Sequence, residues 1–300
     1  MPVTVVTGSL GAGKTTLIRH FLATPQGANA ALVRASLDAT VLLGTGCLCC
    51  QVRSDLRRAL TRLLTERERG EVSPFGRIVI ETGGLADPTP ILSTFATYRA
   101  LGGEFHLEAL VAVVDAMSGG ESLERSPQAR KQVILADRLV LTKSDLAEVS
   151  AVANLKQRLR ALNPRAAIAI AVDGALDPHF LLASGEEMRP PFVAEAGHGD
   201  GIASFDFIEA APMEWRPFAV AMETLIALRG ADLLRVKGRL NLAGCRGPVV
   251  VEYLHHLAHP PVELAEWPDG ERTSRVVFIT RNLAEKEVRE LLAAVRALET

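Results

Sequence analysis

Gly8-Ser9-Leu10-Gly11-Ala12-Gly13-Lys14-Thr15 follows the apolar run Val3-Thr4-Val5-Val6-Thr7 and leads into a helix-like stretch over 14–22. The pattern is G-x-x-x-x-G-K-[ST] between a strand and a helix, the arrangement of a phosphate-binding loop. Its glycines let the backbone curl so that successive N–H groups point inward at an anion. The positive end of the following helix adds to the same field. Lys14 is expected to reach the β- and γ-phosphates of a nucleoside triphosphate, and the Thr15 hydroxyl to bind Mg²⁺. Gly8, Gly11, Ala12, Gly13, Lys14, Thr15 and Thr16 are the expected phosphate contacts. A glycine-rich turn without a ligand is the alternative, and it requires pattern and context to coincide by chance.

Outward from the loop, short apolar runs alternate with helix-like stretches as far as about Gly174, which predicts a parallel sheet flanked by helices. Strands are expected over 3–7, 77–80, 110–115, 138–141 and 167–172, each apolar on both parities as for strands buried on both faces. Helices are expected over 14–22, 54–69, 90–101, 128–136 and 146–162, with Ser54 as an N-cap and Asn163-Pro164 as a stop. The stretch 184–201 holds Gly185, Pro190-Pro191, Gly197 and Gly199 and reads as a linker. Beyond it come strand 202–208, helix 217–229, strands 233–240, 248–253 and 275–279, and helix 283–298, the order of a small α+β domain. The expected division is 1–184 for the α/β domain, 185–201 for the linker and 202–300 for the second domain.

Two further segments complete a nucleotide site. The strand over 138–141 runs into Thr142-Lys143-Ser144-Asp145. An Asp past a strand end can accept from N1–H and the 2-amino group of guanine, donors that adenine lacks there. A buried Asp would stay unpaired against ATP, which favours GTP. The Lys143 stem is expected along the base. The other reading of this segment is a solvated turn capping the next helix. Glu81, in Ile80-Glu81-Thr82-Gly83-Gly84, stands where a carboxylate holds Mg²⁺ through water, with the Gly84 N–H near the γ-phosphate. Asp115 offers a second strand-end acid, for which a helix N-cap or a solvent-facing residue is at least an equal reading.

The chain of 300 residues is 48% hydrophobic and 23% charged, with a formal net charge of −2. That balance suits a soluble globular protein and gives no bulk attraction to nucleic acid or to an anionic membrane. The amino terminus lacks the basic and long apolar regions of a signal peptide, and runs such as 107–114 are too short to span a bilayer. Four cysteines, three of them in Cys47-Leu48-Cys49-Cys50, do not resemble a secreted disulfide framework, so the cytosol is the expected compartment.

Thiolates are soft ligands that suit Zn²⁺ or Cu(I). In an extended segment Cys47 and Cys49 share one face, and Cys50 joins them through a turn. Three thiols supply most of a tetrahedral site. Buried apolar cysteines and a redox-sensing pair are the competing readings. Cys245, in Ala243-Gly-Cys-Arg-Gly, reads as part of a turn, and His198 as part of a solvated loop. His255, His256 and His259 are weak metal candidates, because a strand would point His255 and His256 to opposite faces.

Gly-Ser-Leu-Gly-Ala-Gly-Lys-Thr-Thr, Gly-Cys-Leu-Cys-Cys, Glu-Thr-Gly-Gly-Leu-Ala-Asp-Pro and Leu-Thr-Lys-Ser-Asp-Leu occur in this order. Together they resemble the CobW-like GTPases, relatives of the nickel-enzyme maturation GTPases. Leu234-Arg-Val-Lys-Gly238 and Val277-Phe-Ile-Thr-Arg281 carry the resemblance through the second domain. It implies a GTP-hydrolysing metallochaperone that uses GTP, Mg²⁺ and Zn²⁺ or Co²⁺ and delivers metal to a client protein. It also implies Lys14, Thr15, Glu81 and Gly84 as the catalytic set, Lys143 and Asp145 for guanine, and Cys47, Cys49 and Cys50 for the transferred ion. The chain departs from the family in several places, among them the linker, often histidine-rich there, which here retains only His198. GTPases usually have Asn at the place of Thr142. The family's Glu-Thr-Thr-Gly is here Glu-Thr-Gly83-Gly84. The second strand and Asn-Glu-x-Gly-Glu segment expected before the cysteines are represented only by Ala30-Ala31-Leu32-Val33 and Asp38. That last change makes a metal buffer or sensor with weak turnover the second reading. An ATP-dependent kinase-like enzyme is a third, which Thr142-Lys-Ser-Asp145 argues against.

Overall fold

A computed structural model describes residues 1–35, 48–84, 86–97, 105–182, 202–254, 257–267 and 271–298. The chain divides into two compact units, Met1–Arg189 and Pro190–Thr300.

The first unit carries strands β1 (Pro2–Gly8), β2 (Ala30–Ala35), β3 (Arg77–Thr82), β4 (His106–Asp115), β5 (Arg138–Thr142) and β6 (Ala167–Ala171). They form one sheet in the order β2-β3-β1-β4-β5-β6, and every pairing is parallel. Helices α1 (Lys14–Leu22), α2 (Leu48–Glu68), α3 (Thr89–Thr97), α4 (Gly119–Arg125), α5 (Pro127–Leu135) and α6 (Val149–Leu162) connect the strands, and α7 (Pro178–Leu182) follows β6. Both faces of the central strands β1, β3, β4 and β5 are buried, as their two-parity apolar runs require. The expected two-faced burial fails at the edge strand β6, which has no outer neighbour among the described residues and leaves Ile170 exposed. Val111 and Val113 of β4 pack with Leu17, Ile18 and Phe21 of α1. The alternate residues Ala112 and Val114 pack with Val133 of α5 and Leu155 and Leu159 of α6. Asn163 ends α6 and is buried; its amide donates to Val133 O and Ala136 O, each at 2.8 Å.

The sheet corrects several boundaries. Ala30–Ala35 is a true strand, paired in register with β3 from Ala30↔Arg77 to Ala35↔Thr82, so the second strand is kept in the fold. Ser54 is not an N-cap but lies inside α2, which starts at Leu48. No Gly or Pro interrupts that stretch, so nothing stops the helix from extending back. It ends at Gly70, whose φ of 69° belongs to a left-handed C-terminal cap. The helix expected from 146 starts at Val149, because Leu146 N first closes a turn on Lys143 O at 3.2 Å. Gly119 and Gly120 hid α4 from a propensity reading. Residues 98–101 of the expected third helix and the expected linker over 184–201 lie outside the described residues.

The second unit is an antiparallel sheet in the order β10-β9-β8-β12-β7, with β11 paired to β9. Its strands are β7 (Ile202–Glu209), β8 (Leu233–Leu240), β9 (Val249–Leu254), β10 (Leu257–Ala258), β11 (Val262–Glu263) and β12 (Ser274–Arg281). Helices α8 (Trp215–Arg229) and α9 (Glu285–Leu298) bury Phe218, Met222, Leu225, Val288 and Leu292 against Phe205, Phe207, Val236 and Phe278 of the sheet. Strands β10 and β11 have two residues each, too few to show an alternating pattern in sequence.

Candidate functional site

The chain passes from β1 through α1 to β2 on one side of the sheet, while β4 flanks β1 on the other. Ligands of open parallel sheets bind at the carboxyl ends of the strands beside such a reversal. The loop after β1 stands there. Gly8 has φ 143°, and a Cβ on it would meet Val113 O at 2.2 Å, so only glycine lets the loop leave the strand this close to β4. Gly13 caps α1 in a left-handed conformation, with φ 89° and no side-chain cap. The first N–H groups of α1 are therefore left to face the loop's interior.

Lys14 is buried, and its Nζ donates to Gly8 O at 2.8 Å and Ser9 O at 2.9 Å. Burial pushes its ammonium below the usual lysine pKa, and the charge of Glu81 opposes that shift. The Thr15 hydroxyl, in the first turn of α1, donates to Glu81 Oε1 on β3. The other carboxylate oxygen, Oε2, is 3.3 Å from Arg34 Nε on β2. Arg34 is a site residue that sequence reasoning missed; it could be found only once β2 was known to lie beside β3 in register.

Gly84 sits against the phosphate loop. A Cβ built on it would stand 2.5 Å from Leu10 N and 2.6 Å from Leu10 Cα. The segment after it is held from α5: Gln132 Nε2 donates to Ala86 O at 2.9 Å, and Lys131 Nζ lies 2.6 Å from Asp87 Oδ2. Burial alone would raise the Asp87 carboxyl, but hydrogen bonds from Lys131 and Thr89 bring it below the ordinary value.

At the end of β5, the Thr142 hydroxyl donates to Ala12 O at 2.7 Å and ties this strand to the phosphate loop. Lys143 has φ 56°, and its Nζ meets Asp115 Oδ2 at 2.5 Å. Asp115 is buried and paired, so the solvent-facing reading of that residue is incorrect. Desolvation favours its neutral form, yet hydrogen bonds from Lys143 and from Met117 N–H hold its pKa low. Asp145 is exposed at the same end of the sheet, and Thr16, also exposed, opens α1.

Thus Lys14, Thr15, Glu81 and Gly84 are gathered around one loop, and Lys143 and Asp145 follow the strand that Thr142 ties to it. Cys47 lies outside the described residues. Cys49 and Cys50 belong to the first turn of α2, and their side chains are likewise outside them. His198, His255 and His256 are outside too. Among the described residues no group of His, Cys, Asp and Glu is arranged to hold a metal, and no helix is long and apolar enough to cross a membrane. Cys245 is a free thiol beside Gly244, whose φ of 85° marks the expected turn.

The chain is 32% identical to the zinc chaperone YjiA of Escherichia coli over 98% of each protein. It is 25% identical to the zinc chaperone CobW of a Sinorhizobium species, over 98% of this chain and 97% of that one. The crystal structure of Zn(II)-bound YjiA GTPase from E. coli superposes with a TM-score of 0.71 at 29% identity, covering 99% of both chains. Residues 2–169 match the model of the CobW/HypB/UreG nucleotide-binding domain, and residues 202–296 match the cobalamin synthesis protein CobW C-terminal domain. With the phosphate loop, its strand-end acids and both sheets accounted for in this way, the chain belongs to the CobW/HypB/UreG family.

Proposed function

We propose that this protein hydrolyses GTP and couples the cycle to the handling of a transition metal, Zn²⁺ first and Co²⁺ second, for a client metalloprotein in the cytoplasm. The observation that carries the hydrolase reading is the Thr15–Glu81 pair beside Lys14. A hydroxyl and a carboxylate form a hard oxygen donor set, which fits Mg²⁺. The ion would neutralise charge on the β- and γ-phosphates. Lys14 turns from Gly8 O and Ser9 O to the phosphates, and the loop N–H groups replace the water around them. Gly84 lies against the loop at Leu10, and its N–H would be the donor to the γ-phosphate. Asp145 accepts from guanine, while the Asp115 ion pair holds Lys143 in place to lie along the base.

The metal reading rests on the thiols of Cys47, Cys49 and Cys50 together with the zinc-chaperone relatives. Packing supports a link to the nucleotide: α2, which begins at Leu48, lies against α3, which starts five residues after Gly84. A change at Gly84 can therefore reach the helix that carries Cys49 and Cys50. The boundary between the nucleotide domain and the second domain is assigned to 185–201.

Steady-state GTPase and ATPase assays, with and without Zn²⁺, test this function. Turnover of GTP above a Lys14→Ala control is expected, with GTP preferred over ATP. GTP turnover equal to that control would overturn the hydrolase reading and leave a nucleotide-binding metal buffer. Replacing Cys47, Cys49 and Cys50 together by Ser is expected to abolish high-affinity zinc binding. Unchanged zinc affinity would remove the cysteine site.

A further inference from the structure

The geometry points to Arg34 as an arginine finger supplied in cis, a catalytic residue that leaves Glu81 for the terminal phosphoryl group of bound GTP. This inference rests on the GTPase reading. Arg34 is the next-to-last residue of β2 and the register partner of Glu81. Its side chain is 56% exposed, against 10% for Glu81, so the arginine is the partner free to move. Among the described residues it is held through Nε alone, at 3.3 Å from Glu81 Oε2. The same carboxylate accepts the Thr15 hydroxyl through Oε1.

That sharing sets up an exchange. In P-loop hydrolases the hydroxyl at the position of Thr15 and an oxygen of the terminal phosphate meet at one magnesium ion. A side chain that reaches the carboxylate bonded to Thr15 therefore also reaches the surroundings of that phosphoryl group. With Mg²⁺ bound, Thr15 and Glu81 would help to hold it, and a Glu81 carboxylate so engaged would hold Arg34 less strongly. The terminal phosphate oxygens then offer a planar guanidinium the bidentate anion that it prefers.

In the reaction, the oxygen of water forms a bond to the γ-phosphorus and the bond to the β–γ bridging oxygen breaks. The electron pair of that bond leaves on GDP, and the proton lost by water passes to solvent or phosphate. Arg34 transfers no proton. It donates hydrogen bonds to oxygens whose charge grows in the transition state, a role that β2 can serve although the usual acidic switch motif is absent from this sequence.

Arg34→Ala is the test, read in two ways. Its affinity for a non-hydrolysable GTP analogue with Mg²⁺ is expected to fall ~10-fold, with GDP affinity and Tm unchanged, because charge-assisted hydrogen bonds to the third phosphate are lost. Trapping of GDP with aluminium fluoride should disappear, and kcat should fall by ~10³ with KM for GTP raised by up to ~10-fold, in step with the analogue affinity. A wild-type preference for triphosphate over diphosphate in the variant would overturn the proposal, whether or not the wild type turns over. Arg34→Lys keeps a cation for Glu81 but loses the planar fork. Low kcat in that variant supports the finger, whereas recovery to wild type would reduce Arg34 to a counterion of Glu81. Absence of turnover in the wild-type protein would defeat the GTPase reading itself, and the binding comparison would still decide the placement of Arg34.

Discussion

Thr142 and Ala12 are 130 residues apart in sequence, yet the threonine hydroxyl donates to the Ala12 carbonyl at 2.7 Å. Both are buried, so this bond ties the strand that leads to Lys143 and Asp145 directly to the phosphate loop. Threonine has one hydroxyl proton to give, and it is committed here. Thr142, at the place of the customary Asn, thus ties the segment that carries Lys143 and Asp145 to the phosphate loop.

Thr142→Val retains the shape and removes the donor, leaving Ala12 O buried without this partner. A loss of about 1–2 kcal/mol is expected. It should show as a lower Tm and up to about tenfold weaker guanine-nucleotide binding. Thr142→Ser, which restores the hydroxyl, should recover most of both. Calorimetric titration with GDP compares the three proteins, and equal affinities in all three would show that the tether does not matter.

Gly84→Ala should impair catalysis without unfolding the protein. The new Cβ would lie 2.5 Å from Leu10 N, so either the phosphate loop or the 83–84 turn must shift. A misplacement on the order of 1 Å near the reacting group costs about 10²-fold in rate. Stopped-assay kcat alongside circular dichroism melting checks this; wild-type kcat would show that the loop yields freely.

Glu252→Gln should destabilise the second unit. Arg235 is 3% exposed at the side chain and lies 2.8 Å from Glu252, which is 11% exposed. Removing one charge from such a pair leaves the other poorly compensated, at about 2–4 kcal/mol. Urea unfolding monitored by the two tryptophans, both in this unit at positions 215 and 267, gives the change. A midpoint equal to wild type would refute it.

Acidification should lower stability through His259. Burial lowers its imidazole pKa below 6.5, and Arg235 and Lys237 add to the effect against the opposing charge of Glu252. Between the unfolded and the folded pKa the unfolded chain takes up a proton that the folded chain resists. Stability therefore falls as pH drops through about 6.5 and levels off below the folded value. His259→Gln should flatten part of the Tm decline between about pH 7.5 and 5.5. A parallel decline in the variant would count against His259.

The features legible in sequence share a property: their residues are neighbours in the chain. Gly8 to Thr15 specifies its own backbone path, because Gly8 and Gly13 adopt conformations closed to other residues and Lys14 follows at a fixed covalent distance. The two-parity apolar runs of β1, β4 and β5 declared strands buried on both faces, and the break in pattern before β7 declared a second unit. The start of α2 was less legible, since a helix without a breaker has no sequence mark for its first turn.

Pairings between distant strands were not legible at all. Arg34 meets Glu81 only because β2 takes the edge beside β3 in register, and Thr142 meets Ala12 only because β5 reaches the loop end of the sheet. Asp115 pairs with Lys143 for the same reason, through the β4–β5 register that sets Asp115 against Thr142. Local sequence supplies each side chain and its strand end, but hydrogen-bonded register across crossovers selects which ends converge. The chain alone therefore determined the phosphate loop and the order of its motifs. The tertiary structure decided which carboxylate, hydroxyl and guanidinium stand around that loop, because register depends on the packing of the whole sheet.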